Sequence, residues 1–374
     1  MEAVVVIGAG PAGLATAAAL REVGIDALVV DRAAAVGSSW RGHYDRLHLH
    51  TARQLSALPG MAIPRAYGRW VSRDNVVRYL EDYARHHRLR VRLGVAVEGL
   101  ARAAGPWRLA TPTGSIDAAR VVIATGYNHT PLLPDWPGRE GFQGELLHAS
   151  RYKNPRPYRG RDVLVVGAGN TGAELAIDLV EGGAARVRLS IRTPPNILQR
   201  EIAGIPGQVL AIGLRRLPTR WVDAALATAQ RVVMGDLSKY GLPPAPRGAF
   251  AQIARDGQIP ILDIGLVDLV KRGKVEVVKA VDRFDGAHVV LADGARITPS
   301  AVIAATGYKR GLEALVGHLG LLDQRGLPMV HGPVTHPSAP DLYFLGYTNP
   351  VSGNLRELAI DARKIARAIR RVSN

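Results

Sequence analysis

The first thirty residues alternate between unbroken apolar runs and glycine-rich breaks. Val4-Val5-Val6-Ile7 is a β-branched run with no polar position, the pattern of a buried strand. Gly8-Ala9-Gly10-Pro11-Ala12-Gly13 follows, then an alanine-rich helical run from Leu14 to Arg21. A second apolar run, Ala27-Leu28-Val29-Val30, ends at Asp31. Strand, glycine turn, helix and strand open a βαβ unit. The same shape returns later. Val163-Leu164-Val165-Val166 leads into Gly167-Ala168-Gly169-Asn170-Thr171-Gly172, then into a run from Ala173 to Val180. Its second strand, Val187-Arg188-Leu189-Ser190-Ile191, ends at Arg192.

Other periodic stretches add to the repeat. Val121–Ala124 and Val302–Ala305 are strand-like and both run into Thr-Gly-Tyr, at residues 125–127 and 306–308. Leu355, Leu358, Ala362, Ile365, Ala366 and Ile369 share one stripe of a predicted C-terminal helix, whose last turn carries Arg367, Arg370 and Arg371. Trp221, Val222, Ala225, Leu226, Ala229, Val232 and Val233 form a second helical stripe. Core packing over the cofactor cleft is expected of it, with membrane contact as the lesser reading. The Pro/Gly-rich stretch 128–160 reads as a linker or hinge.

The expected fold class is α/β, with two Rossmann-like dinucleotide-binding domains. A discontinuous domain, 1–159 and 310–374, would hold FAD, and an inserted domain, 160–309, would hold NADPH. The 374 residues suit that division. Composition then removes alternatives. Without cysteine there is no thiolate metal site, no iron–sulfur cluster on cysteine and no redox dithiol, so a disulfide-reductase chemistry is excluded. The net charge of +16 looks like a nucleic-acid signal, but only seven of the 48 basic residues are lysine and no run of five or more basic residues appears. No nucleic-acid partner is expected. No apolar stretch reaches the ~20 residues of a membrane span. The N-terminal residues read as a strand rather than a leader, which makes the cytoplasm the default compartment.

The glycine motifs carry the chemistry. In such a motif the first glycine allows the tight turn, the second lets a pyrophosphate approach the backbone, and the third lets helix and strand pack closely. The helix N-terminus then faces the phosphate charge. Gly8, Gly10 and Gly13 form one set, and Gly167, Gly169 and Gly172 the other. Asp31 can accept hydrogen bonds from ribose hydroxyls and would repel a 2′-phosphate, which suits FAD or NAD. Arg192, at the equivalent place, suits the 2′-phosphate of NADPH. Two such sites imply hydride transfer between two cofactors, with the flavin carrying the chemistry.

With these motifs in place the chain resembles the flavin-containing monooxygenases, most closely their plant-type, YUCCA-like branch. The segment Phe142–Tyr152 fits the FxGxxxHxxxY signature, and the two Ala-Thr-Gly-Tyr junctions, Tyr44–His50, Arg200-Glu201 and Gly257–Asp263 also fit. The resemblance implies FAD contacts from Gly8, Gly10, Gly13, Asp31, Arg32, Trp40, Gln54, Val97, Thr125 and Gly126. It implies NADPH contacts from Gly167, Gly169, Asn170, Thr171, Gly172 and Arg192. Two features depart from the pattern: Ser38-Ser39 stands where a glycine is usual, and the flavin-side asparagine of many members has no counterpart around residues 48–55. The implied mechanism reduces FAD with NADPH, adds O₂ to give a flavin C4a-(hydro)peroxide, and oxygenates a small organic molecule. Oxidative decarboxylation of an arylpyruvate-type 2-oxo acid leads, with N- or S-oxygenation of a soft nucleophile, or an NADPH:acceptor reductase, as alternatives. No side-chain nucleophile is needed. His148 is the one acid–base candidate, with a hydrogen-bonded hinge role as its simpler reading. His48 and His50 could bind metal, but no acidic or cysteine partner accompanies them, so packing or flavin-side polar contacts are expected instead. A homodimer is left open.

Overall fold

The computed structural model describes residues 1–102 and 105–373. Both βαβ openings form where the residue pattern puts them. The chain divides into two compact units: Met1–Gly42 with Thr51–Thr130 and Tyr308–Asn374, and His43–His50 with Pro131–Gly307.

In the first unit, β1 (Glu2–Ile7), α1 (Pro11–Glu22) and β2 (Leu28–Asp31) build the motif. Helix α2 (Arg73–His86) precedes β3 (Arg90–Leu93). The meander β4 (Gly99–Arg102), β5 (Trp107–Thr111) and β6 (Gly114–Ile123) closes the sheet in the order β3-β2-β1-β6-β5-β4. A last strand, Leu342–Phe344, pairs parallel to β6. Strands β3, β2, β1 and β6 are parallel neighbours, and β1 holds β6 in register from Val4 opposite Arg120 to Ile7 opposite Ile123. Sheet residues Val5, Ile7, Val30, Val121 and Ile123 pack with Trp107, Leu109 and Phe344 on one face. On the other side α1 is buried along its length and packs against the C-terminal helix Asn354–Ser373. That helix buries the stripe read from its period: Ala362, Ile365 and Ile369 are fully covered. Each such isoleucine contributes about 1.5–3 kcal/mol of burial.

The second unit is built on β7 (Glu145–His148), β8 (Asp162–Val166), α3 (Asn170–Glu181), β9 (Arg186–Ser190), β10 (Val275–Val278) and β11 (Ala301–Ala304). These strands form one parallel sheet in the order β10-β9-β8-β11-β7. Its core takes Val163, Val165, Leu175, Leu179, Val187, Leu189 and Ile303.

Two expectations from the sequence change here. The stretch 128–160 is not simply a linker. Within it, Ala301 pairs with Glu145 and Ala304 with His148, so β7 is the edge strand of the second sheet, and residues 131–159 belong to the second unit rather than the first. Prolines punctuate this segment without preventing four residues from pairing at an edge. The stripe at 221–233 is not core either. Helix α4 (Thr219–Met234) buries Val222 and Met234, but Trp221, Val232 and Val233 are 64%, 79% and 53% exposed. The helix has a second apolar face, and periodicity alone does not say which one is covered. No helix among the described residues is long and apolar enough to cross a membrane.

Candidate cofactor-binding site

The first glycine turn fits a dinucleotide by its empty space as much as by its contacts. Gly8 has φ +114°, and a Cβ there would stand 2.4 Å from the Ala124 carbonyl oxygen. A Cβ on Gly13 would stand 1.8 Å from the Gly8 carbonyl oxygen. A Cβ on Gly10 would meet nothing within 4 Å, so the backbone there faces open space. Gly10 caps α1 without a side-chain bond, and no acidic residue lies in the first turn. The N–H groups at this end are therefore available to an anion. Asp31 is fixed by the turn itself: Ala9 N–H donates to its Oδ2 at 2.6 Å and Ala33 N–H to its Oδ1 at 2.8 Å. Each oxygen keeps a lone pair for a hydroxyl donor. Thr125 and Gly126 close the turn from β6. Thr125 Oγ1 and the Tyr347 hydroxyl are 2.8 Å apart, and Thr125 N–H donates to that hydroxyl at 3.2 Å. Burial pushes the Tyr347 phenol up to about 12.

Gly8, Gly10, Gly13, Asp31, Thr125 and Gly126 thus come together. The remaining four flavin-side residues lie in other surroundings. Val97 packs against the cluster of Trp107 and Leu109, Gln54 is exposed in the turn Arg53–Leu55, and Trp40 lies half-buried in the short helix Ser38–Arg41. Arg32 is exposed and lowers the pKa of His129, after burial. Ser38, at the departure from the family pattern, donates its hydroxyl to the Ala35 carbonyl at 2.5 Å.

The second turn repeats the first. Gly167 has φ +110° and its Cβ would meet the Ala305 oxygen at 2.5 Å. A Cβ on Gly172 would meet the Gly167 oxygen at 1.9 Å, and one on Gly169 would meet nothing within 4 Å. Gly169 caps α3 with no side-chain bond and no acid in the first turn. The Arg192 guanidinium is exposed and, among the described residues, holds no carboxylate, so it fits a 2′-phosphate. The side chains at 170 and 171 are engaged elsewhere. Asn170 donates to the Pro260 carbonyl at 3.0 Å and accepts from Leu262 N–H at 2.8 Å, which ties the turn to the Gly257–Asp263 segment. Thr171 bonds the Tyr44 hydroxyl.

Behind the second turn lies a polar network that the sequence reading missed. Helix α3 carries Glu174 and Asp178, both buried, and the exposed Glu181 on one stripe. His50 Nε2 lies 2.5 Å from Glu174 Oε1, and Tyr44 bonds Glu174 as well. Tyr152, the last residue of the FxGxxxHxxxY signature, donates to Asp178 Oδ2 at 2.7 Å. Arg46 pairs with Glu181 and lies 3.7 Å from Asp178. Burial, ahead of every other cause, raises Asp178 above the usual carboxylate range, and it also raises Tyr44 and Tyr152. The acidic partner absent from the sequence around His50 therefore arrives from α3. Residues 43–50 show no signal of this locally; only the charged positions at helical spacing in an otherwise apolar α3 hinted at a buried polar contact.

His148 has both ring nitrogens engaged. Its Nδ1 accepts from Ser150 N–H at 3.1 Å, which leaves Nε2 to donate to the Gly307 carbonyl at 3.0 Å. Burial lowers its pKa. This geometry holds a neutral imidazole bridging the signature to the second Thr-Gly-Tyr junction.

Comparison with known proteins agrees with this fold. Residues 5–201 match the family described as pyridine nucleotide-disulphide oxidoreductase. Indole-3-pyruvate monooxygenase YUCCA1 of Oryza sativa subsp. japonica is 36% identical over 350 residues, 92% of this chain and 86% of its own length. The chain belongs to the YUCCA family of flavin monooxygenases. A probable indole-3-pyruvate monooxygenase of Arabidopsis thaliana, YUCCA9, is 33% identical and covers 98% of the chain and 88% of its own length. A solved flavin monooxygenase from Stenotrophomonas maltophilia, a double variant, superposes with a TM-score of 0.78 at 25% identity over the whole of both chains. As a YUCCA-family member the protein is a flavoprotein oxidoreductase, a monooxygenase with FAD and a pyridine nucleotide as its cofactors.

Proposed function

We propose that the first turn holds FAD, that the second holds NADPH in preference to NADH, and that the enzyme oxidatively decarboxylates an aryl-substituted 2-oxo acid. One observation carries the division of labour. Two turns of the same steric design are followed by Asp31 in one case and Arg192 in the other. A carboxylate favours a ribose with free hydroxyls, and a guanidinium favours a ribose 2′-phosphate. The substrate class follows the activity for which the relatives are named.

In this reading each side chain binds or orients rather than attacks. N–H groups at the start of α1 and α3 receive the two pyrophosphates. Asp31, held by the N–H groups of Ala9 and Ala33, accepts from the adenosine ribose of FAD. Arg192 pairs with the 2′-phosphate. The FAD, when bound, supplies the electron transfer and the oxygen chemistry. His148 stays neutral and keeps the signature segment in place, a positioning role. The net reaction consumes the 2-oxo acid, O₂, NADPH and a proton, and yields the carboxylic acid one carbon shorter, CO₂, water and NADP⁺.

The test uses the FAD-loaded enzyme with NADPH, indole-3-pyruvate and ¹⁸O₂. One ¹⁸O atom in the arylacetate, with CO₂ released in proportion to NADPH consumed, is expected. NADPH consumption matched by hydrogen peroxide, with no labelled acid, would overturn the proposal. Labelled sulfoxide from a thioether, in the absence of any labelled acid, would replace the substrate class.

A further inference from the structure

The outward face of α4 is an organised apolar surface. Trp221, Ala224, Ala225, Thr228, Ala229, Val232 and Val233 line one open, almost wholly apolar depression. Their spacing follows the helical period without a break, so all seven lie along one stripe. Val222, at the edge of this stripe, and Met234, on the far side of the helix, are buried, whereas Trp221, Val232 and Val233 stay exposed. The chain leading into α4 adds the exposed side chains Val209, Leu210 and Leu217.

Charge around this face is mainly positive, with the exposed Asp236, just past the helix, as the acid near Arg231. Arg215, Arg216, Arg220 and Arg231 are exposed in and just before the helix. Arg220 stacks on Trp221, its Cζ 5.6 Å from the ring centroid. Asp223 is the one acid between residues 202 and 235, and its oxygens accept from Phe250 N–H at 2.8 Å and Ala251 N–H at 3.1 Å. We propose that this face docks on an anionic phospholipid surface, with Trp221, Val232 and Val233 entering the headgroup–acyl boundary and the arginines meeting lipid phosphates. A helix with an apolar face, a tryptophan and arginine flanks is built to lie in the plane of such an interface. The arginine stems can lie along the apolar boundary while their heads reach phosphate. A second copy of the chain fits this face less well. A symmetric pair would bring the four arginines of one copy against the same four of the other.

The test is sedimentation of the full-length, FAD-loaded enzyme with vesicles. One set is phosphatidylcholine with 30 mol% phosphatidylglycerol, about the anionic share that attracts basic segments, and the other is phosphatidylcholine alone. Binding to the anionic vesicles about tenfold above the neutral ones, reversed by high salt, is the expected result. The pair Val232→Asp and Val233→Asp should cut that binding at least about tenfold while leaving NADPH oxidation unchanged. The pair Arg220→Gln and Arg231→Gln, which keeps the apolar face intact, should weaken it about tenfold or more. No sedimentation with anionic vesicles, or binding indifferent to both pairs of substitutions, would overturn the proposal. So would a wild-type dimer in light scattering that the aspartate pair converts to monomer, since the face would then belong to a second copy.

Discussion

The two glycine turns can be compared position by position. A Cβ on the first glycine would meet a neighbouring carbonyl at 2.4 Å in one turn and 2.5 Å in the other, and a Cβ on the third at 1.8 Å and 1.9 Å. The middle glycine faces open space in both. What differs is side-chain chemistry one strand later, and the character of the helix. Helix α1 is almost entirely small and apolar and is buried along its length, whereas α3 carries buried Glu174 and Asp178 that engage residues 44–50 and Tyr152. The backbone turn is thus a general anion cradle, and identity is written on the residues that flank it.

The largest expected effects break the turns one at a time. Gly13→Ala forces a methyl into the Gly8 carbonyl and should cost about 3 kcal/mol or more, with loss of the flavin absorbance through gel filtration. Gly172→Ala makes the same clash in the second unit and should abolish NADPH oxidation while the flavin stays bound. Loss of flavin from both variants alike would erase the proposed division. Gly10→Ala is the control, since its methyl meets no protein atom. It should fold with a melting temperature near that of the apo wild type and still bind FAD at least about tenfold more weakly, through encroachment on the ligand alone.

Next comes the network that only α3 carries. Glu174→Ala leaves His50 and the Tyr44 hydroxyl without their buried partner and should destabilise by about 3 kcal/mol, read from denaturant midpoints at constant slope. Tyr152→Phe removes one donor from Asp178 and should cost about 1–3 kcal/mol. A smaller cost from Glu174→Ala than from Tyr152→Phe would show that the His50 contact contributes little.

His148 gives the smallest effect and has a definite sign. Its folded pKa lies below its ordinary value of 6.5 because burial disfavours the charged ring. The unfolded chain therefore takes up the proton first as pH falls through 6.5, and stability is lost in that direction. His148→Asn should flatten the fall in melting temperature between pH 7 and pH 5. An unchanged pH profile would contradict the neutral, doubly bonded imidazole.

Much of this was legible in the sequence because it is local. The glycine turns, the strands on either side of them and the buried stripe of the C-terminal helix are set by periodicity and by residues without side chains. Three things were not. The pairing of β7 with β11 joins segments far apart in the chain through backbone bonds that any sequence can make. The His50–Glu174 contact joins two polar side chains from segments far apart in the chain, and neither neighbourhood predicts the other. Helix α4 has apolar positions on two faces, so its pattern announces a helix without telling which face the protein covers. Asn170 and Thr171 show the converse: their place in the motif was legible, but the structure engages their side chains with residues 260–262 and Tyr44.

The central claim is that Asp31 and Arg192 assign the two turns to their cofactors. It is tested most directly by the ratio of kcat/KM for NADPH to that for NADH in Arg192→Ala and in the wild type. Loss of one charge-assisted phosphate contact predicts a ratio lower by about ten- to a hundredfold, with the NADH value nearly unchanged and the flavin retained. An equal fall for both nucleotides, or an unchanged ratio, would contradict the account.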